Sequence, residues 1–242
     1  MRKNIKVVIL AGGLGSRLSE ETENKPKPMV EIGGKPILWH IMKNYSHYDL
    51  NEFIICCGYK SSVIKEYFAN YALNNSDVTF NLKDNSFKTE KKNLENWKVT
   101  LVDTGENSNT AGRLRYIKKY FQHNEEFCLT YGDGVGNINI RALLDFHKRS
   151  KKLCTMTSVK IPGRFGSLEF DKKKLIKKFT EKPLGDGGWI NGGFFVFNKK
   201  IIDLIKKDSD SLEKDILPIL VRKNQLMAFN HNGFWQAMDT MR

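Results

Sequence analysis

The sequence predicts an α/β fold in three layers, with a mainly parallel mixed sheet between two layers of helices. Short apolar segments alternate with segments of helical periodicity, which is the pattern of βαβ units. The first apolar segment, residues 7–11, is followed directly by glycines, and open α/β sheets bind ligands at the carboxyl ends of their strands. With 242 residues and 40% hydrophobic content, the chain can bury one core. We therefore expect a single domain over residues 1–242.

Each predicted element has a local signal. Residues 7–11 have the length and apolarity of a buried parallel strand. Pro36 stands where a helix can begin, and apolar residues follow it at helical spacing. Residues 52–57 form the second predicted strand, and an aromatic stripe over residues 63–71 predicts another amphipathic helix. The apolar positions of the two helices are Ile37, Leu38, Ile41, Met42 and Tyr45, and then Val63, Ile64, Tyr67, Phe68 and Tyr71.

The polar, lysine-rich residues 83–96 indicate a loop or a hairpin tip. The remaining predicted elements are strands at 97–102, 127–131 and 175–180 and a helix at 112–121. The four cysteines fall inside predicted strands, and the neighbours Cys56 and Cys57 would point to opposite faces of the sheet. Because no cysteine or histidine spacing fits a zinc site, we expect reduced core thiols.

The glycine-rich segment after the first strand predicts an anion-binding loop. Its residues are Leu10, Ala11, Gly12, Gly13, Leu14, Gly15, Ser16 and Arg17. Three glycines in four positions let backbone N–H groups approach phosphate oxygens, and Arg17 and Lys27 add positive charge. The spacing fits neither a P-loop nor a dinucleotide fingerprint, whose third glycine would fall at Leu18. An ordinary turn would explain the glycines alone, and the two cations favour a triphosphate site.

Asp133 is a candidate ligand for Mg2+. It follows the predicted strand at residues 127–131 and would reach the same sheet edge as the glycine-rich loop. Mg2+ prefers a few carboxylate oxygens together with substrate phosphates and waters. An aspartate between two glycines is, taken alone, more often a turn residue bonded to its own backbone. The triphosphate loop beside it favours the metal.

Residues 10–18 and 25–29 together resemble the signature of the sugar-1-phosphate nucleotidylyltransferases. Further blocks, in the same order, resemble the cytidylyltransferase subgroup of that family. These blocks are residues 31–42, 56–60, 162–166, 185–195 and 234–240. The resemblance implies a Rossmann-like fold of the nucleotide-diphospho-sugar transferase type. It also implies a nucleotide-binding half at about residues 1–135 and a sugar-phosphate-binding half at about residues 136–242.

The resemblance implies transfer of a cytidylyl group from CTP to glucose 1-phosphate, giving CDP-glucose and pyrophosphate with Mg2+ as cofactor. The sugar phosphate would attack the α-phosphorus of CTP directly, while Arg17 and Lys27 stabilise the pyrophosphate. Base choice does not follow from spacing. A pyrophosphorylase for another nucleotide or sugar 1-phosphate, or a non-catalytic regulatory relative, therefore stays open.

The same resemblance assigns the other site residues. Asp239 would be the second Mg2+ ligand beside Asp133. The remaining nucleotide contacts would be Ser108, Arg113 and Gly132. An ordinary turn stays open for Ser108, whereas the guanidinium of Arg113 would lie near the ribose or the phosphates. The sugar phosphate would contact Gly166, Glu181, Lys182, Trp189, Asn191 and Gly192.

Within that sugar-phosphate set, Glu181 would accept hydrogen bonds from sugar hydroxyls and Lys182 would bind the phosphate. Without the family resemblance, the two would be interpreted as an exposed charge pair at a strand end.

A net charge of +13 raises the possibility of nucleic-acid binding. The lysines fall in predicted helix ends and turns, without interleaved aromatic residues or a helix-turn-helix pattern. We therefore expect a solvated basic surface that attracts anionic substrates, and no nucleic-acid partner. No apolar stretch approaches the roughly 20 residues that span a bilayer, so we expect no membrane partner and a cytoplasmic protein. The resemblance also implies a homo-oligomer.

Overall fold

The computed structural model describes residues 5–13, 24–90, 94–123, 125–161, 167–171, 174–180 and 188–238. The strands in these ranges are β1 (Lys6–Ala11), β2 (Glu31–Ile32), β3 (Lys35–Pro36), β4 (Glu52–Cys57), β5 (Asp77–Asn81), β6 (Ser86–Glu90), β7 (Lys98–Asp103), β8 (Glu126–Tyr131), β9 (Gly134–Gly136), β10 (Cys154–Val159), β11 (Ser167–Phe170), β12 (Ile176–Thr180), β13 (Ile190–Asn198), β14 (Leu226–His231) and β15 (Trp235–Ala237). The helices are α1 (Ile37–Ser46), α2 (Ser61–Ala69), α3 (Tyr71–Asn74), α4 (Gly112–Ile117), α5 (Ile140–Ser150) and α6 (Leu217–Arg222). Short 3-10 helices span Lys27–Met29, Lys118–Tyr120 and Lys199–Leu204, and a π-helical turn spans Leu212–Ile216.

A seven-stranded sheet in the order β14-β10-β13-β8-β1-β4-β7 forms the centre of the molecule. β1 is parallel to β4 and β8, β4 is parallel to β7, and β10 is parallel to β14. Only β13 runs antiparallel to its neighbours in this sheet, β8 and β10. The predicted mainly parallel mixed sheet is confirmed. Strands from both halves of the chain enter it.

Alternate residues of β1 pack on opposite faces of this sheet. Val7 and Ile9 belong to a core cluster with residues of α1, α2 and α5. Val8 and Leu10 belong to a second cluster with residues of α4, α6 and the segment between Ile201 and Ile216. Helices therefore cover both faces, which confirms the three predicted layers.

The cysteines are free and buried, as predicted. Cys57 packs in the first core cluster and Cys56 in the second, so the two neighbours do face opposite sides of the sheet. Burial raises the pKa of the Cys57 thiol to about 11, which keeps it protonated at neutral pH.

Several predicted boundaries are confirmed and others need correction. β4 has the predicted bounds, and α1 buries its five predicted apolar positions. The helix expected over residues 63–71 ends at Ala69, and Ile64 is its only buried residue. The helix expected at residues 112–121 ends at Ile117 and continues as a 3-10 helix.

The loop predicted at residues 83–96 is also too long. Ser86–Glu90 forms β6 and pairs with β5, so the hairpin tip is residues 82–85. Both strands are largely exposed, and the alternation of polar and apolar residues that identifies a half-buried strand is therefore weak. No helix in the described ranges is long and apolar enough to cross a membrane.

Candidate active site

An open cleft of about 540 Å3 lies at the carboxyl ends of β1 and β8. This is the sheet edge at which the sequence predicts anion binding. The residues that line the cleft are Leu10, Ala11, Gly12, Gly13, Lys27, Pro28, Ser108, Asn109, Thr110, Arg113, Thr130, Tyr131, Gly132, Asp133, Gly134, Asn191, Gly192, Gly193, Glu213, Trp235 and Ala237.

The cleft brings together predicted residues from both halves of the chain. They are Leu10, Ala11, Gly12, Gly13, Lys27, Ser108, Arg113, Gly132 and Asp133 from the first half, and Asn191 and Gly192 from the second. Trp189 does not line the cleft: it is 41% exposed, and the Nζ atom of Lys160 lies 4.8 Å from the centre of its ring. The predicted residues Leu14, Gly15, Ser16, Arg17, Gly166, Glu181, Lys182 and Asp239 lie outside the described residues.

The end of β1 and the turn after β8 meet at Gly132. Its N–H donates to the carbonyl oxygen of Leu10 at 2.9 Å. A Cβ at this position would lie 2.8 Å from that oxygen and 2.8 Å from Cγ of Pro28, closer than side chains approach. Glycine therefore lets the 3-10 helix Lys27–Met29 approach the sheet edge closely, and this helix carries Lys27 into the cleft.

Arg113 is 4% exposed and holds the glycine-rich loop by its backbone. Its Nη2 donates to the carbonyl oxygens of Gly12 at 2.8 Å and Glu106 at 3.3 Å. Its Nη1 donates to Thr104 Oγ1 and to the carbonyl oxygen of Gly105, both at 2.7 Å. A buried guanidinium needs such partners, because an unpaired charge is costly away from water.

These contacts change the interpretation of Arg113. The sequence places its guanidinium near the ribose or the phosphates, whereas the structure directs both terminal nitrogens to protein oxygens. Gly12 and Gly58 make room for it: a Cβ at Gly12 would overlap its Nη1 and Cζ atoms, and a Cβ at Gly58 would lie 2.5 Å from Nη1. Arg113 thus joins the loop after β1 to the turns after β4 and β7.

Lys27 and Asp133 form an ion pair inside the cleft. Lys27 Nζ lies 2.8 Å from Asp133 Oδ2, and the two side chains are 9% and 37% exposed. The lysine is therefore nearly buried, while the carboxylate stays open to the cleft. Together they place one positive and one negative group beside the glycine-rich end of β1.

Asp133 fits the role of a Mg2+ ligand. Its carboxylate provides hard oxygen donors at the cleft, and the N–H of Met238 donates to its main-chain oxygen at 2.8 Å. The segment that leads to Asp239 is therefore hydrogen-bonded to Asp133. No group of three His, Cys, Asp or Glu in the described part of the chain could hold a metal ion. Mg2+ prefers one or two carboxylates with substrate phosphates and waters as its remaining ligands, so Asp133 does not need such a group around it.

Glu213 is a cleft residue that the sequence analysis missed. Its Oε1 accepts a hydrogen bond from Tyr131 at 2.6 Å, and its Oε2 accepts from Thr110 and Ser211, both at 2.8 Å. Burial by itself raises the pKa of the Glu213 carboxyl, but these hydrogen bonds outweigh it and hold the pKa below its usual value. Glu213 is therefore an ionised group in the cleft wall.

The local sequence around Glu213 offers only a helix signal. Ser211 caps the turn by accepting from the N–H of Lys214, and an acidic residue in a first helical turn is ordinarily explained by the helix dipole. The phenol of Tyr131 lies 82 positions away in the chain, so the pair appears only in the folded structure.

Comparisons with known proteins identify the family of the chain. A family model for nucleotidyl transferases matches residues 6–240. The glucose-1-phosphate cytidylyltransferase of Salmonella typhimurium is 57% identical over 98% of this chain and 92% of that protein, and the probable glucose-1-phosphate cytidylyltransferase of Bacillus subtilis is 42% identical over the same shares. The crystal structure of HddC from Yersinia pseudotuberculosis complexed with GMP-PN has a TM-score of 0.70 at 26% identity, covering 98% of this chain and 95% of that chain. The chain therefore belongs to the nucleotidyl transferase family, in which it is similar to the glucose-1-phosphate cytidylyltransferases.

Proposed function

We propose that the chain is an enzyme that transfers a cytidylyl group from CTP to α-D-glucose 1-phosphate, forming CDP-glucose and pyrophosphate. The observation that carries this proposal is the pair of Lys27 and Asp133, 2.8 Å apart beside the glycine-rich end of β1. The pair occurs in a chain 57% identical to a glucose-1-phosphate cytidylyltransferase, and that relative's name supports these two substrates.

The proposed reaction is a direct displacement at phosphorus. A phosphate oxygen of glucose 1-phosphate attacks the α-phosphorus of CTP, and the bond from that phosphorus to the bridging oxygen of pyrophosphate breaks. The attacking oxygen is already anionic and pyrophosphate leaves with the electron pair, so no proton has to move. The site must therefore hold two anions in line and offset their charge. Lys27 supplies one cation, and Arg17 supplies a second in this proposal.

Asp133 and Asp239 would hold the metal ion. Mg2+, when bound, would neutralise and align phosphate oxygens. Asp133 supports this role by its open carboxylate, and Met238 supports it by tying the neighbouring segment to Asp133. The backbone N–H groups of the glycine-rich loop, together with Ser108 and Gly132, would contact the nucleotide.

The sugar phosphate would lie at the side of the cleft formed by Asn191 and Gly192. Trp235 Nε1 donates to the carbonyl oxygen of Gly192 at 2.7 Å, which holds that backbone in place. Glu181 and Lys182 would bind the sugar hydroxyls and the phosphate. Gly166 and Trp189 stay predictions from the resemblance.

The test is pyrophosphate release. The chain is incubated with Mg2+, glucose 1-phosphate and, in turn, CTP, UTP, dTTP, ATP or GTP. We expect release with CTP alone and its loss on chelation with EDTA. Release with a different nucleotide would reassign the base, and no release with any of them would contradict the proposal.

Two variants test the assigned pair, and a third is the matched control. Lys27→Met keeps the volume of the buried side chain without its charge, and Asp133→Asn removes the carboxylate. Lys43→Met breaks an ion pair of similar length, 3.0 Å to Glu95, outside the cleft. The first two variants should lose activity, and the control should keep it.

The proposal also covers assembly and location. We propose one domain, because four strands from residues 6–131 and three from residues 154–231 form one sheet. We propose a homo-oligomer, supported by the exposed aromatic pair Phe80 and Phe87 on the β5–β6 hairpin. Light scattering after gel filtration tests this. We propose the cytoplasm as the compartment, because CTP is available there.

A further inference from the structure

Three side chains from distant parts of the chain form a hydrogen-bonded row in the wall of the cleft. Tyr131 ends β8, Asn191 lies in β13, and Glu213 lies in the π-helical turn. The hydroxyl of Tyr131 lies 2.6 Å from Glu213 Oε1 and 3.1 Å from Asn191 Nδ2. All three residues line the cleft.

The donors and acceptors in this row fit only one direction. An ionised carboxylate only accepts hydrogen bonds, so the O–H of Tyr131 must donate to Glu213. The phenolic oxygen is then left to accept from the amide nitrogen of Asn191. At the other end of that amide, Oδ1 accepts from the N–H of Gly193 at 2.8 Å. Both ends of the Asn191 amide are therefore assigned.

The protonation states that this direction requires are stable. Burial raises the pKa of the Tyr131 phenol, and the negative charge of Glu213 raises it further. The hydrogen bonds onto Glu213 hold the pKa of its carboxyl below the usual value despite its burial. At neutral pH the row therefore contains one phenol and one carboxylate.

A fixed amide matters because the terminal torsion of asparagine is broad and nearly two-fold. Turning it over exchanges a donor for an acceptor at almost the same place. Without the Tyr131 hydroxyl, the interaction with Gly193 alone would select the orientation of Asn191. With it, the remaining N–H and lone pair of Asn191 are presented to a ligand in one arrangement.

We propose that Tyr131 and Glu213 are positioning residues for the sugar-phosphate substrate: Glu213 orients the Tyr131 hydroxyl, which fixes the amide of Asn191. This inference rests on the proposed function, since it places glucose 1-phosphate at the Asn191 side of the cleft. Glu213 also binds Thr110 beside the nucleotide-side residue Ser108, so the branch through Tyr131 has to be tested separately.

Tyr131→Phe isolates that branch, because the ring is held independently of the hydroxyl. The ring packs against Phe195, with centroids 5.7 Å apart, and a Cβ at Gly193 would lie 2.7 Å from its Cδ2 atom. Tyr67→Phe is the matched control: the Tyr67 hydroxyl is buried outside the cleft and has no hydrogen-bond partner among the described residues.

The experiment measures KM for each substrate and kcat with the full chain, Mg2+, CTP and glucose 1-phosphate. We expect Tyr131→Phe to raise KM for glucose 1-phosphate about 5- to 20-fold, since the hydrogen bond that the Asn191 amide donates to the Tyr131 hydroxyl is lost. KM for CTP and kcat should stay within about twofold. Tyr67→Phe should behave like the unchanged chain.

A double variant separates positioning from a general structural effect. Asn191→Ala should itself raise KM for glucose 1-phosphate. If Tyr131 acts through Asn191, adding Tyr131→Phe to it should cause no further loss. Additive losses, an equal rise of both KM values, or an unchanged KM in Tyr131→Phe would overturn the inference. Glu213→Gln is the second test of the row: it keeps an acceptor but not the charge, and it should shift the same KM by a smaller factor.

The two proposals fail in different ways. If the unchanged chain released no pyrophosphate from glucose 1-phosphate with any nucleotide, the proposed function and this inference would fall together. An active chain whose Tyr131→Phe variant has the same KM values defeats the inference alone.

Discussion

Replacing Gly12 by alanine would place a methyl group where the guanidinium of Arg113 lies. The added Cβ would overlap Nη1 and Cζ of Arg113 and lie 2.9 Å from its Nε. A long side chain could usually move away. Here the guanidinium is nearly buried and donates to Gly12, Thr104 and Gly105 at 2.7–2.8 Å, so moving it breaks these hydrogen bonds.

The cost follows from those bonds. A hydrogen bond that involves a charged group contributes about 1.5–3 kcal/mol. Losing two of them, with partial replacement in the new position, should lower the free energy of unfolding by about 3 kcal/mol. In a domain of this size, that corresponds to a fall in Tm of roughly 6–12 °C.

Gly13→Ala is the matched control in the same loop. Apart from its chain neighbours, a Cβ at Gly13 would meet no atom of the described residues within 4 Å, and Gly13→Ala should change the free energy of unfolding by at most about 0.5 kcal/mol. Thermal unfolding followed by circular dichroism measures both variants. Equal Tm values for Gly12→Ala and Gly13→Ala would refute the argument that the guanidinium is fixed.

Three further predictions use other parts of the structure. Gly112→Ala should lower the free energy of unfolding by about 4 kcal/mol or more, because its Cβ would overlap the carbonyl oxygen of Asp208, and a backbone atom cannot move aside as a side chain can. Soluble yield and Tm should both be lower for Gly112→Ala than for Gly12→Ala. Lys27→Met should lower kcat at least about 100-fold while Tm stays within a few degrees, and pyrophosphate release near the normal rate would contradict its role. Burial lowers the pKa of His147. Below about pH 6.5 His147 therefore binds a proton in the unfolded chain more readily than in the folded chain, and the free energy of unfolding decreases as the pH is lowered through this range. Urea unfolding at pH 7.5 and 5.5 should show a larger loss for the unchanged chain than for His147→Leu.

The sequence predicts the parts of the fold that depend on local signals. The signal for β4 is an apolar run of a few residues, and the strand has the predicted bounds. The signal for α1 is the helical spacing of its apolar residues, and the helix buries those residues as predicted. The arrangement of the cleft at the carboxyl ends of β1 and β8 also follows from the sequence, because parallel strands end at a common edge. Asp133 lies at this edge for that reason, whereas Lys27, 106 positions earlier in the chain, is carried there by the 3-10 helix Lys27–Met29.

Contacts that no local pattern encodes do not follow from the sequence. The guanidinium of Arg113 was expected beside the nucleotide, since arginine suits phosphates. The carbonyl oxygen of Gly12, to which it donates, is 101 positions away, and only the folded chain shows that its terminal nitrogens donate hydrogen bonds to protein oxygens. Glu213 was missed because its phenol partner, Tyr131, lies 82 positions away in the chain.

Because Arg113 fills the space beside Gly12, the effect of a substitution at position 12 depends on which residue stands at position 113. The three atoms nearest to an added Cβ at Gly12 all belong to Arg113, so a shorter residue at position 113 would remove those three overlaps. At Gly58 the carbonyl oxygen of Gly12 lies only 2.7 Å from the added Cβ, and no change at position 113 removes it. A change at position 113 should therefore lessen the destabilisation that alanine causes at position 12, whereas position 58 stays closed to alanine in either background.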